Sequence, residues 1–125
     1  MNAGDAFYLP DRSADGHLWV IISDPDKDAG RVLFVSMTSY DVTKEDACLI
    51  EAGEHPRVTH RTCINYQLTR HSAGDVLDRL RDTGVLRIQP PVSGDLLARI
   101  RRGVSRSRRI AFEHVEFLAG QDLLD

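Results

Sequence analysis

His17-Leu-Trp-Val-Ile-Ile-Ser23 and Arg31-Val-Leu-Phe-Val-Ser-Met-Thr38 flank the stretch Asp24-Pro-Asp-Lys-Asp-Ala-Gly30. The two outer runs are β-branched and aromatic, the side chains that fit a pleated, half-buried surface. The middle is made of turn formers. The pattern predicts an antiparallel hairpin over residues 17–38 with a long loop, and the rest of the chain builds on it. Upstream, Ala6–Leu9 reads as a short strand closed by Pro10, followed by a polar loop over 11–16. Downstream, Ala47–Glu51 is a short strand broken by Gly53-Glu-His-Pro56, and Val58–Leu68 is the longest β-like stretch.

Helical signals come later. Ser72-Ala-Gly-Asp75 is a variant of the capping box and opens a helix carrying Val76, Leu77 and Leu80, which Gly84 ends. Val85–Ile88 is a small strand before Pro90-Pro91. Ser93 caps a second helix in which Leu96, Leu97, Ile100 and Val104 repeat at helical spacing. Its other face carries Arg99, Arg101, Arg102 and Arg106, with Arg109 beyond. Gly103 is less favourable there than Ala by about 1 kcal/mol, which predicts a bend or a stop. Ile110–Leu118 reads either as a final strand or as more helix. The expectation is one α+β domain, a small curled antiparallel β-barrel with one or two helices toward the C-terminus, packed at one end.

The chain has 125 residues, the size of one domain. Its 42% hydrophobic and 28% charged content is that of an ordinary globular protein. The apolar runs Leu18–Ile22 and Val32–Val35 fall far short of the roughly 20 residues of a membrane helix. Met1–Asp5 has neither a basic nor an apolar leader character, and two cysteines, Cys48 and Cys63, are too few for a disulfide framework. These features point to the cytoplasm.

Charge is unevenly distributed. Residues 1–56 hold eleven acids against four bases, residues 57–109 twelve arginines against four aspartates, and residues 110–125 four acids and no base. A basic middle in an acidic whole points to an anionic partner, or else to pairing between the chain's own faces. Fourteen of the sixteen bases are arginine, whose planar fork suits phosphate and carboxylate. The run Arg99–Arg109 is either a solvated helix face or a docking face for phosphate or an acidic partner.

Metal-free RNA cleavage needs a base for the 2′-OH, an acid for the leaving oxygen and cations around the phosphate. Histidine suits both proton roles near neutral pH, and His17, His55 and His60 are the candidates. Alternation along Val58–Leu68 puts Val58, His60, Thr62, Ile64 and Tyr66 on one face, apolar at one end and polar at the other. His60 and Thr62 are then either cleft residues or hydrogen-bonded, half-buried ones. His55 is a loop residue, ligand-facing or simply exposed. Trp19 either belongs to the core or stacks on a base beside His17. Cys48, His55, His60 and Cys63 match no common zinc spacing, and Asp24, Asp26 and Asp28 form an acidic turn rather than a calcium loop. No phosphate-binding glycine loop, nucleophile elbow or dinucleotide fingerprint is present.

A short strand after Gly4-Asp5, a long-looped hairpin ending in Val35-Ser-Met-Thr-Ser39, a further strand pair at Asp46–Ile50 and Val58–Thr69, and a late helix at Leu96–Val104 resemble the MazF/PemK ribonuclease toxins. The resemblance covers about residues 4–104. It implies an SH3-like barrel, usually a homodimer, that cleaves single-stranded RNA without metal or other cofactor and is inhibited by an antitoxin, here one with an acidic segment. Thr38 stands where the family has Thr or Ser. Asp15-Gly-His-Leu18 replaces the family's Gly-x-Arg-Pro, and Cys63 and Asn65 stand near the place where some members carry an Arg and Asp pair. Neither Cys63 nor Asn65 can take over that acid–base work.

Two functions follow as expectations. The first is an endoribonuclease with His17, Thr38 and His60 as catalytic candidates. Trp19, His55, Arg57, Arg61, Asn65, Tyr66 and Arg70 are then the candidates for holding RNA. The second is a non-catalytic barrel that binds protein or nucleic acid.

Overall fold

The computed structural model describes residues 1–10 and 16–124, so the loop read over 11–16 lies almost wholly outside the described residues. Within them the order is β1 (Ala6–Tyr8), β2 (Leu18–Ile21), β3 (Val32–Ser39), β4 (Leu49–Ile50), β5 (Thr62–Ser72), α1 (Gly74–Asp82), β6 (Arg87–Gln89), α2 (Gly94–Arg106) and α3 (Phe112–Gly120). The six strands form one antiparallel sheet in the order β4-β5-β3-β2-β1-β6, curled into an open half-barrel. The hairpin lies at its centre, with Trp19 opposite Ser36 and Ile21 opposite Phe34. The loop inside it folds on its own aspartates: Asp26 N donates to Asp24 Oδ1 and Gly30 N to Asp28 Oδ1.

Curl comes from β5. Between the pairs Phe34–Arg70 and Ser36–Asn65, β3 has one intervening residue, Val35, whereas β5 has four, Tyr66 to Thr69. Such an irregularity bends a strand and increases its twist. Thr69 Oγ1 donates to Tyr66 O across it at 2.6 Å.

Both faces of the sheet are covered. Leu18, Val20, Leu33, Val35, Ile64 and Tyr66 face α2 and α3, meeting Leu96, Ile100, Val104 and Leu118. Phe7, Trp19, Ile21, Val32 and Phe34 face the other way, onto Leu77 of α1 and Leu86. A strand buried on both sides reads as an unbroken apolar run, and all four residues of β2 are buried. The α+β class and the curled antiparallel sheet agree with the sequence. The helices come late in the chain, as expected, but their number and packing differ. There are three helices rather than one or two, and they lie on both faces rather than at one end.

Element boundaries shift for identifiable reasons. The longest strand runs Thr62–Ser72 instead of Val58–Leu68. At its start, backbone groups are used by a turn: Val58 N donates to His55 O, and Gly53 N to Val58 O. At its end, residues 70–72 are recruited by pairing with Val32–Phe34. The strand read over Ala47–Glu51 shrinks to Leu49–Ile50, which pair with Cys63 and Thr62. Ser72 closes β5 and does not cap α1, whose N-cap is Ala73 without a side-chain bond. Ser93 does cap α2, its Oγ accepting from Leu96 N at 3.1 Å. Gly103 does not stop α2, which continues to Arg106. No helix among the described residues is long and apolar enough to cross a membrane.

The ambiguous segment at 110–118 is helical. Its C-terminus closes as a Schellman turn, with Leu123 N to Leu118 O and Asp122 N to Ala119 O, and Asp122 takes the left-handed conformation (φ 61°). Gln121 then ties α3 to the hairpin loop, its Oε1 accepting from Asp24 N at 2.8 Å.

Inside α3, His114 is buried, its Nδ1 has no partner among the described residues, and its ring lies 6.3 Å from that of His71. Burial lowers its pKa, Arg31 and His71 lower it further, and Glu113 opposes them. An unfolded chain protonates this imidazole near its ordinary value of 6.5, the folded chain only at lower pH. The stability His114 contributes is therefore complete above 6.5 and is lost as pH falls through the folded value. Melting temperature is expected to fall more steeply between about pH 7.5 and 5 in the wild type than in His114→Gln. Equal slopes in the two proteins would contradict this.

Candidate functional site

One end of the central hairpin opens into a cavity of about 310 Å³, bounded by Tyr8, Gly16–Leu18, Met37–Ser39, Arg57, Val58, His60 and Thr62. Strand register explains who meets there. Trp19 opposite Ser36 puts His17, two residues earlier, level with Thr38, two residues later. Ser39 is paired with Thr62, and Tyr40 N donates to Arg61 O, so the chain just before β5 lies alongside the end of β3. That juxtaposition brings His60 Nε2 within 2.6 Å of Ser39 Oγ, while His60 Nδ1 lies 3.3 Å from Thr59 Oγ1. Lys44 Nζ stands 3.4 Å from Thr38 Oγ1 and 3.6 Å from the Asp41 carboxylate. Thr43 holds the Asp41 pKa down through side-chain and backbone hydrogen bonds.

Arg57 enters the cavity as its fixed cation. Its Nε donates to Gln89 Oε1 on β6 at 2.8 Å, and its backbone N donates to His55 Nδ1 at 3.0 Å. His55 is 2% exposed, and its Nε2 lies 2.6 Å from Pro90 O. A carbonyl can only accept and a backbone N–H can only donate, so His55 carries its proton on Nε2. It is thus a buried strut between the 53–58 turn and the segment after β6, and not the exposed loop residue the sequence suggests. Among the described residues no carboxylate lines the cavity.

His17, Thr38, His60 and Arg57 come together; the other candidates do not. Trp19 is 3% exposed on the opposite face of the sheet, edge-on to Phe34 at 5.3 Å, so it cannot stack on a base beside His17. Arg70 lies over its ring at 4.8 Å, away from the cavity. Arg61 pairs with Glu51 at 2.9 Å. Tyr66 is buried, its hydroxyl donating to Ile100 O of α2 at 2.6 Å. Asn65 lines a neighbouring smaller recess. Cys48 and Cys63 are both buried thiols, and burial raises the pKa of each. No three His, Cys, Asp or Glu side chains converge on a common point among the described residues.

Ser39 and Tyr8 belong to the cavity and escaped the sequence reading. Alternation sets Ser39 on the face opposite Thr38; both reach the cavity because β3 ends there. No family model, curated protein or solved structure matches the chain.

Proposed function

We propose that this chain is a metal-independent endoribonuclease of the MazF/PemK kind, acting on single-stranded RNA in the cytoplasm. The observation that carries the reading is the convergence of His17, His60, Thr38, Ser39 and Arg57 on one cavity whose lining, among the described residues, holds no carboxylate. An anionic phosphodiester fits such a lining, and Arg57, already oriented by Gln89 and His55, meets its non-bridging oxygens. His60, whose ring Ser39 orients, takes the proton of the 2′-OH as that oxygen bonds to phosphorus. The bond from phosphorus to the 5′-oxygen breaks, and His17 supplies a proton to the departing oxygen. The products are a 2′,3′-cyclic phosphate and a 5′-hydroxyl. The Thr38 hydroxyl donates to the phosphate. A homodimer and an inhibitory partner with an acidic segment belong to the same proposal.

The test is incubation of the purified protein with mixed-sequence single-stranded RNA, with and without EDTA. Fragments ending in 2′,3′-cyclic phosphate, formed equally in both, are the expected result. Intact RNA would overturn cleavage and favour the second reading, a non-catalytic binding module. One observation already leans toward that module. Cys63 is 1% exposed and Asn65 lies outside the cavity, so neither replaces the acid–base pair of the family.

A further inference from the structure

Three more recesses follow the cavity, each sharing at least one lining residue with the one before it. The first, about 120 Å³, shares Thr38 with it and adds Lys44, Asn65 and Arg109. The second, about 500 Å³, shares Glu45 and Arg109 with the first and adds Arg106 and Arg108. The third, about 410 Å³, shares Arg106 with the second and adds Arg102 and Arg99. Six basic side chains line these recesses against two acids, Glu45 and Asp46. Glu45 is already occupied, accepting from Arg108 N at 2.7 Å and from Ser107 Oγ. Positions 99, 102 and 106 form one stripe along α2.

The arginines of this region divide into two groups. Arg99 is committed to Glu54 and to Leu49 O, Arg101 donates to Ile22 O at 2.9 Å, and the exposed Arg109 donates one guanidinium N–H to Thr43 O at 3.3 Å. Arg102, Arg106 and Arg108 are exposed, and their guanidinium groups have no carboxylate partner among the described residues. Helix geometry holds the backbones of Arg102 and Arg106, and the Glu45 bonds that of Arg108, so their guanidinium forks are presented to an external anion.

We infer that this groove is the path of the RNA strand beyond the scissile bond, its successive phosphates held by Arg109, Arg106 and Arg102. The inference rests on the cleavage reading for the strand's starting point at Thr38. Continuity with the cavity favours a polyphosphate chain, as does the planar fork of arginine. A protein partner would need an apolar anchor at the centre of its contact, and the apolar side chains of the recesses, Ala47, Cys48, Leu49, Cys63, Ile64 and Tyr66, are all buried or half-buried.

The test uses the full chain and a fluorescent, 2′-O-methylated single-stranded RNA of about a dozen nucleotides, which lacks the nucleophile and cannot be cut. Affinity is measured between about 50 and 200 mM salt for the wild type and for the Arg102→Ala/Arg106→Ala variant. The variant is expected to bind roughly tenfold more weakly, with a log–log salt slope shallower by about 1.4, or 0.7 for each lost phosphate contact. Equal melting temperatures would establish that the fold is intact. Unchanged affinity and slope overturn the inference. So does a variant that keeps its RNA affinity but loses binding of an oligoglutamate peptide, which would make the groove a protein-docking face. A protein that binds through the groove yet leaves ordinary RNA uncut keeps this inference and removes the cleavage reading. A protein that cuts RNA while the variant binds normally does the reverse.

Discussion

Gly103→Ala is expected to destabilise the protein by about 2 kcal/mol or more, the scale of an overpacked core, and to lower its melting temperature by several degrees. Helix propensity alone predicts the opposite sign, a gain of about 1 kcal/mol in a helix interior. The difference is tertiary. Gly103 is buried where α2 crosses β5, and a Cβ there would run into the Tyr66 hydroxyl, lying 2.9 Å from Tyr66 Cζ and 3.1 Å from the Ala47 carbonyl oxygen. Tyr66 cannot swing aside, because its ring is 1% exposed and its hydroxyl is anchored on Ile100 O. Burial pushes that hydroxyl's pKa far up, so it remains a protonated donor. Chemical denaturation of the wild type, Gly103→Ala, Tyr66→Phe and the double variant checks the argument. Part of the cost should disappear in the Tyr66→Phe background, since the colliding oxygen is gone. A stabilised Gly103→Ala protein would show that helix propensity dominates at this crossing.

His60→Ala is expected to slow RNA cleavage by about 10²- to 10⁴-fold, the range for a lost proton-transfer group, with little change in melting temperature. The ring is exposed, and its hydrogen bonds go to two surface hydroxyls, Ser39 and Thr59. Ser39→Ala should fall between the two, since it releases the ring without removing it. His55→Ala supplies the contrast. It removes a buried strut between Arg57 and Pro90, so stability should drop along with any loss of rate. A His60→Ala protein that cuts RNA at the full rate would take His60 out of the mechanism.

The two histidines show how far the sequence reached. Local signals set His55 in a loop and His60 on a strand face, the reverse of their burial in the fold. The structure buries one and exposes the other because the 53–58 turn folds back beneath β6. Trp19 is similar. Alternation allowed it to point either way, and covering of the second sheet face by α1 decided for burial. In α3 polar His114 is buried beside Leu118 while Phe112 is 73% exposed, so the segment's apolar pattern did not separate helix from strand.

The amino-acid sequence by itself determined the hairpin, the order of strands and helices as far as α2, and the Ser93 cap. These depend on side-chain periodicity and turn chemistry, which act over a few residues. Tertiary structure alone decided the irregularity that curls β5, the close approach at Gly103, the coverage of both sheet faces, and the pairing of Ser39 with His60. Each of these joins residues distant in sequence, so its free energy comes from packing and register that no local window contains.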